Sequence, residues 1–299
     1  MNTMTILIAA AALAATTVGF AAARKVMKDP LKLYNRAARR ALVSKGLQAV
    51  TVETPSGPQT VFEGGEGPVL VLIHGAGDQA GTWSRVVSGL LEGRTLIVPD
   101  LAGHGDSAPA DGPIDTSAIY HGLEAVLASR LKGRKAILAG NSLGAWMAML
   151  IADRHPEWVE KVIAINGGPL IGTSSVKLLA RTREEAREAF AALRDPSSPA
   201  VPDAVLDEMV RDAPTSPLAR FAATAATMLP WVMDEEKLKA FRTPVVLLWG
   251  VSDRMMDLGY ADRMLKALPD AKLIRLEKVG HVPHQESPET FLEGMAKAL

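Results

Sequence analysis

The chain has 299 residues, 48% hydrophobic and 22% charged, a globular composition long enough for one large domain or two small ones. Its 33 Lys and Arg balance 33 Asp and Glu, so charge gives no reason to expect a nucleic-acid partner. The absence of cysteine excludes disulfides, cysteine-ligated metals and a cysteine nucleophile, and leaves the compartment open.

The first charged side chain is Arg24, preceded by an apolar and Ala/Thr-rich run over residues 4–23. About twenty uncharged residues suffice for a membrane-spanning helix. A cleaved signal peptide is the alternative, with Ala21-Ala22-Ala23 as its cleavage site. Positive charges are absent before the run and dense after it, at Arg24, Lys25, Lys28, Lys32, Arg36, Arg39 and Arg40. That order favours an anchor with the remainder of the chain in the cytoplasm. The segment Leu31 to Lys45 is basic and amphipathic, suited either to an anionic membrane surface or to a solvated linker.

From Gln48 the pattern changes. Residues 48–54 and 59–63 alternate as an antiparallel pair around Pro55-Ser56-Gly57-Pro58. Continuous apolar runs at 69–73, 95–98, 136–139, 162–165 and 244–249 predict strands buried on both faces. Helices are expected at about 83–91, with Thr82 as N-cap, and at 117–131, 143–155 and 259–268. A strand at 272–276 and a last helix capped by Ser287 with Pro288 at its first position complete the pattern. Between Leu170 and Arg242 only helical patterns occur, broken by Pro196, Pro199, Pro202, Pro214 and Pro217 and including a Thr182/Glu185 capping box. The expected architecture is α/β: a mainly parallel sheet with helices on both faces and a helical insertion. Such sheets place their sites at the carboxyl ends of strands.

Those ends carry the chemistry. Gly140-Asn141-Ser142-Leu143-Gly144 is G-x-S-x-G between a strand and a helix, a turn that lifts the serine hydroxyl towards a helix N-terminus. Asp253 follows another strand, and His281 in Val279-Gly280-His281-Val282-Pro283-His284 follows a third. A serine nucleophile needs a base to take its proton and a carboxylate to fix the base's tautomer. The order Ser142, Asp253, His281 is that of the α/β-hydrolase triad. His284 rivals His281, and Asp257 rivals Asp253. The oxyanion donors are expected to be the N–H groups of Leu143 and Ala76, with Gly77 the alternative to Ala76. No His/Asp/Glu cluster has metal-ligand spacing, and the chemistry needs no cofactor.

Jointly, His74-Gly75-x-Gly77 with Trp83, Asp100-Leu101-x-Gly103-His104-Gly105-x-Ser107, Gly140-Asn141-Ser142-Leu143-Gly144, Gly250-x-x-Asp253, and Gly280-His281 with Glu286-x-Pro288-Glu289 resemble the α/β-hydrolase superfamily from about residue 48 onward. The resemblance implies the α/β-hydrolase fold with an eight-stranded-type sheet, a Ser142–Asp253–His281 triad and a cap after the sixth core strand. In that frame 1–23 is an anchor or signal, 24–47 a basic linker or amphipathic helix, 48–169 and 243–299 the core, and 170–242 the cap. His74, His104 and Asp100 are implied to order loops. Ala145 departs from the second glycine of many relatives. The membrane-anchored branch, similar to monoacylglycerol lipases and cold-active bacterial lipases, shares the apolar N-terminus followed by basic residues.

The expected activity is a serine carboxylester hydrolase for lipid-like esters with apolar acyl groups. Cap residues Phe221, Met228, Leu229, Trp231 and Met233 divide between core and pocket wall, with Met228 and Trp231 as substrate-binding candidates. Two alternatives stay open. One is hydrolysis of carbon–carbon bonds in ring-cleavage products, whose enzymes share Gly-Asn-Ser-x-Gly but commonly carry tryptophan where this chain has Val282. The other is a non-catalytic ligand-binding protein on the same fold.

Overall fold

The structure is a computed structural model that describes residues 28–172 and 174–299. The predicted anchor or signal over residues 4–23 lies outside them. Among the described residues, no helix is long and apolar enough to cross a membrane.

The elements run α1 (Pro30–Ser44), β1 (Gln48–Val52), β2 (Gln59–Gly65), β3 (Val69–Ile73), a 3-10 helix (Ala80–Arg85), α2 (Val87–Leu91), β4 (Thr95–Pro99), α3 (Thr116–Leu131), β5 (Ala136–Asn141), α4 (Leu143–Arg154) and β6 (Val159–Ile165). The intervening helical region holds α5 (Arg183–Leu193), α6 (Asp203–Asp212), α7 (Pro217–Ala222) and α8 (Glu235–Lys239), with short 3-10 turns between them. The chain closes with β7 (Val245–Gly250), α9 (Leu258–Ala267), β8 (Lys272–Leu276), α10 (Pro283–Glu286) and α11 (Pro288–Ala298).

Eight strands form one sheet in the order β1-β2-β4-β3-β5-β6-β7-β8. The β1/β2 and β2/β4 pairs are antiparallel, and every later pair is parallel. Side chains of a strand alternate between faces, and β3 shows it plainly. Val69, Val71 and Ile73 enter the core built with α3, α4 and α9. Leu70 and Leu72 enter the opposite core, built with Trp83, Leu90, Phe291 and Met295. All five β3 residues are buried, which explains why the sequence reads as an unbroken apolar run.

Three local expectations are corrected. The helix after β3 starts as 3-10 at Ala80, and its N-cap is Gln79, whose side chain accepts from Gly81 N. Thr82 is instead inside that helix, where its hydroxyl meets His284 Nε2 at 2.9 Å. Ser287 does precede α11, but its hydroxyl pairs with Thr290 Oγ1 rather than with the backbone.

The basic amphipathic segment forms α1, docked on the protein. Ala38 and Leu42 are buried, and Lys45 Nζ donates to Ser84 O at 2.6 Å. Arg39 reaches Asp100 and Asp106. At the other end, buried Glu208 of α6 accepts from Leu31 N at 2.6 Å and Lys32 N at 3.1 Å, satisfying two of the helix's free N–H groups.

Candidate active site

The strand β5 ends where α4 begins, and Ser142 alone makes the turn. Its φ of 54° and ψ of −115° lie in a region costly for any residue with a Cβ, a cost of about 1–3 kcal/mol. The flanking glycines make the turn possible. A Cβ on Gly140 would sit 2.2 Å from Gly144 C, and one on Gly144 would sit 2.2 Å from Ile73 O. Ser142 N donates to Ile165 O at 2.9 Å, and Ser142 O accepts from Ala145 N and Trp146 N. Ser142 thus occupies the N-cap of the twelve-residue α4, at its positive end. Ala145 is fully buried behind the turn.

Asp253 follows β7 and His281 follows β8. His281 Nδ1 donates to Asp253 Oδ2 at 2.7 Å. The other contacts of this carboxylate leave it fully occupied. Oδ2 also accepts from Asn166 Nδ2 at 2.7 Å, and Oδ1 accepts from Met255 N at 2.8 Å and Met256 N at 2.9 Å. Asp253 is buried and is held by four donors. Because Nδ1 carries the proton, the lone pair of the His281 ring sits on Nε2.

The three strand ends are tied together. Asn141, the residue before Ser142, donates from Nδ2 to His281 O at 2.8 Å and to Ile165 O at 3.2 Å. Asn166 at the end of β6, itself at φ 45°, accepts from Gly250 N at 3.0 Å while holding Asp253. Gly167 beside it leaves room for the turn, since a Cβ there would lie 2.5 Å from Ser142 Cα. Sequence reasoning gave Asn141 and Asn166 no role. The available signal was a polar amide directly at the end of a buried strand.

The rivals are occupied elsewhere. Asp257 caps α9 by accepting from Tyr260 N at 3.0 Å. His284 is fully buried, stacked on Trp83 at 4.1 Å between ring centroids, and burial pushes its imidazole down to about 3. His74 accepts from Leu101 N at 2.9 Å through Nε2, and burial lowers it to about 4. His104 is likewise pushed down by burial, then by the neighbouring His74, to about 3. His121 and His155 both hydrogen-bond Glu124, at 3.0 and 2.6 Å. Burial works to raise that carboxyl, but hydrogen bonds from His121, His155 and Tyr120 outweigh it and hold Glu124 at about 2.

Leu143 is the first residue of α4, and Ala76 lies in the turn closed by Asp78 N to Gly75 O. Among the described residues, neither the Leu143 nor the Ala76 N–H has a hydrogen-bond acceptor. Leu218 of α7 stands against this turn, 3.1 Å from where a Gly77 Cβ would be. It also lines a cavity of about 490 Å³ with Val176, Leu178 and Leu179, to which Lys177, Arg181 and Glu185 add charge. Among the described residues, no group of three or more His, Asp or Glu is placed to hold a metal ion.

The cap candidates separate. Phe221 and Met233 are buried in the core, and partly buried Met228 packs against it. Trp231 lies against Tyr120 and His121, with the Arg154 guanidinium 4.5 Å over its ring, while Trp146 Nε1 donates to its carbonyl at 3.0 Å. Trp231 thus bridges the two ends of α4, its carbonyl held by Trp146 near Ser142 and its ring covered by Arg154 at the last residue of the helix.

Residues 70–293 match the Alpha/beta hydrolase family. An uncharacterised protein of Mycobacterium tuberculosis is 28% identical over 257 residues, covering 77% of this chain and 74% of that one. A pimeloyl-[acyl-carrier protein] methyl ester esterase of Nitrosomonas europaea is 29% identical over 245 residues, covering 76% and 94%. Among solved structures, a membrane phospholipase A described as a bacterial virulence factor superposes with a TM-score of 0.74 at 25% identity, covering 95% of this chain and 96% of that one.

Proposed function

Given that the chain belongs to the alpha/beta hydrolase family, we propose that it is a serine carboxylester hydrolase for lipid-like esters with apolar acyl groups. The observation that carries the reading is the buried, four-donor Asp253 holding His281 Nδ1 at 2.7 Å beside the strained turn at Ser142. In this reading Ser142 Oγ attacks the ester carbonyl as His281 Nε2 takes its proton. The carbonyl oxygen becomes an oxyanion held by the Ala76 and Leu143 N–H groups. His281 returns the proton to the departing alcohol, leaving an acyl group on Ser142. Water, activated by the same imidazole, releases the carboxylic acid and restores the serine.

The apolar preference is supported by Leu178, Leu179 and Leu218 in the cavity next to the Gly77 turn, whose other walls carry Lys177, Arg181 and Glu185. The relatives agree with ester chemistry: one is named an esterase and one a membrane phospholipase. We further propose that residues 4–23 stay on the mature chain as an anchor, with the catalytic domain on the cytoplasmic side. Its support is the uncharged run followed by dense positive charge.

A chain-length series of p-nitrophenyl and glyceryl esters, assayed with the full chain in membrane and soluble fractions, tests both parts. The expected result is activity that sediments with membranes and a kcat/KM at least tenfold higher for uncharged apolar acyl groups than for charged ones. One added methylene in an apolar site is worth about 1 kcal/mol or more, so a few suffice. Turnover confined to charged or ring-cleavage substrates would contradict the substrate class. Activity in an exported fraction with a new N-terminus at Arg24 would contradict the anchor.

A further inference from the structure

We propose that Arg39, on the helix α1 that precedes the sheet, is a positioning residue for the oxyanion site; the inference rests on the ester-hydrolase reading above. The turn that carries Ala76 spans residues 74–79, and it is held from both ends by the corner after β4. At its start, His74 Nε2 accepts from Leu101 N at 2.9 Å. At its end, Asp100 Oδ1 accepts from Ala80 N at 2.7 Å, and Gln79 Oε1 accepts from Gly81 N at 2.7 Å. The two acceptors that fix the end of the turn are therefore Asp100 and Gln79, and they hold the N–H groups four and five residues after Ala76.

Arg39 joins both of them. Nη1 donates to Asp100 Oδ2 at 2.7 Å and to Gln79 Oε1 at 3.2 Å. Nη2 donates to Asp106 Oδ2 at 2.6 Å. The guanidinium lies over Phe62, 5.0 Å from the ring centroid, so its plane is fixed as well as its charge. A planar fork that satisfies three acceptors at once is something a lysine ammonium reproduces only in charge. The helix bearing Arg39 is itself clamped to the cap by Glu208 through the Leu31 and Lys32 N–H groups. One element thus braces the oxyanion turn and the cap together.

The Asp100 side chain is fully buried. Burial raises its carboxyl, while Arg39 and the Ala80 and Asp106 N–H groups pull it down. The other charged or titratable groups facing this corner are Asp106, Asp78, His74 and His104, with Arg220 of α7 committed to carbonyls of the same loop, among them Gly103 O at 3.2 Å. None of them replaces the cation: two are carboxyls, the two imidazoles are held neutral by burial, and Arg220 makes no contact with Asp100. Without Arg39 the carboxyl rises further and takes a proton at a higher pH. A catalytic state that needs Asp100 ionised is then present above that pKa and lost as pH falls through it.

Steady-state kinetics of the full chain on one p-nitrophenyl ester across pH, for wild type, Arg39→Met and Arg39→Lys, test this. The Met variant is expected to lose kcat on the order of tenfold, about 1.4 kcal/mol of barrier, with KM within twofold and the acid limb of kcat moved to higher pH. The Lys variant is expected to return the acid limb to the wild-type position and to keep kcat about threefold low, since the charge is restored without the fork. A Met variant with kcat within twofold of wild type, an unmoved acid limb, or a loss confined to KM would overturn the inference. Should the Met variant fail to fold, a Lys variant with wild-type kcat overturns it alone. A wild-type chain that hydrolyses no ester contradicts the proposed function and this inference with it. Ester hydrolysis by wild type matched by the Met variant contradicts only this inference.

Discussion

Ser142→Ala is expected to lower kcat by about 10⁵–10⁶ while leaving a folded protein. The backbone at this position is dictated by its neighbours: β5 delivers the chain to Gly140, α4 takes it away at Leu143, and the glycines leave no other path. Alanine meets the same steric cost at φ 54° as serine, so the turn and the melting temperature should be nearly unchanged. Only the hydroxyl is lost, and with it the acyl-enzyme route. Residual turnover then comes from oxyanion donors and binding alone. Kinetics of the purified variant check this, and retention of more than a tenth of wild-type kcat would remove Ser142 from the mechanism.

Asp253→Asn is expected to lower kcat by about 10⁴. The geometry specifies why. Oδ1 accepts two backbone N–H groups, from Met255 and Met256, so the asparagine carbonyl must face them. The amide NH₂ then takes the place of Oδ2, where it meets two donors, His281 Nδ1 and Asn166 Nδ2. His281 relieves one clash by moving its proton to Nε2, which blunts its ability to accept from serine. Asn166 has no such option, because its Oδ1 is committed to Gly250 N. The check is kcat across pH together with the melting temperature. A variant within tenfold of wild type would mean that the His281 tautomer is not set by Asp253.

The sheet and the candidate triad were legible in the sequence because their signals are local. A strand buried on both faces needs an unbroken apolar run, and the turns at its carboxyl end need glycine where backbones meet. Ser142, Asp253 and His281 each sit beside such a signal, and the structure joins Asp253 to His281 directly. What could not be read depends on partners far away in the chain. A basic amphipathic helix looks the same whether its cations meet water, lipid or protein. The contacts that dock α1 span 61 residues from Arg39 to Asp100 and 177 from Leu31 to Glu208. The cap poses the same difficulty: Trp231 is apolar in either role, and its neighbours Tyr120, His121 and Arg154 lie far away in the chain. Similarly, Thr82 is a good capping residue by type, yet the chain enters the 3-10 helix two residues earlier and Gln79 takes the task.

Ser142, His281 and Asp253 are proposed to form a working nucleophile. Incubating the wild-type chain with an organophosphonate ester and mapping the adduct by peptide mass spectrometry tests it most directly. The phosphonyl group is transferred only to a serine whose proton is taken by a neighbouring base, with loss of its leaving group, and the charge that builds up on its phosphoryl oxygen is held by the same N–H donors as the ester oxyanion. The account predicts one adduct per chain, on Ser142, formed together with loss of esterase activity and absent in His281→Ala. An unlabelled Ser142 in a chain that still hydrolyses esters, or an adduct on another serine, would contradict it.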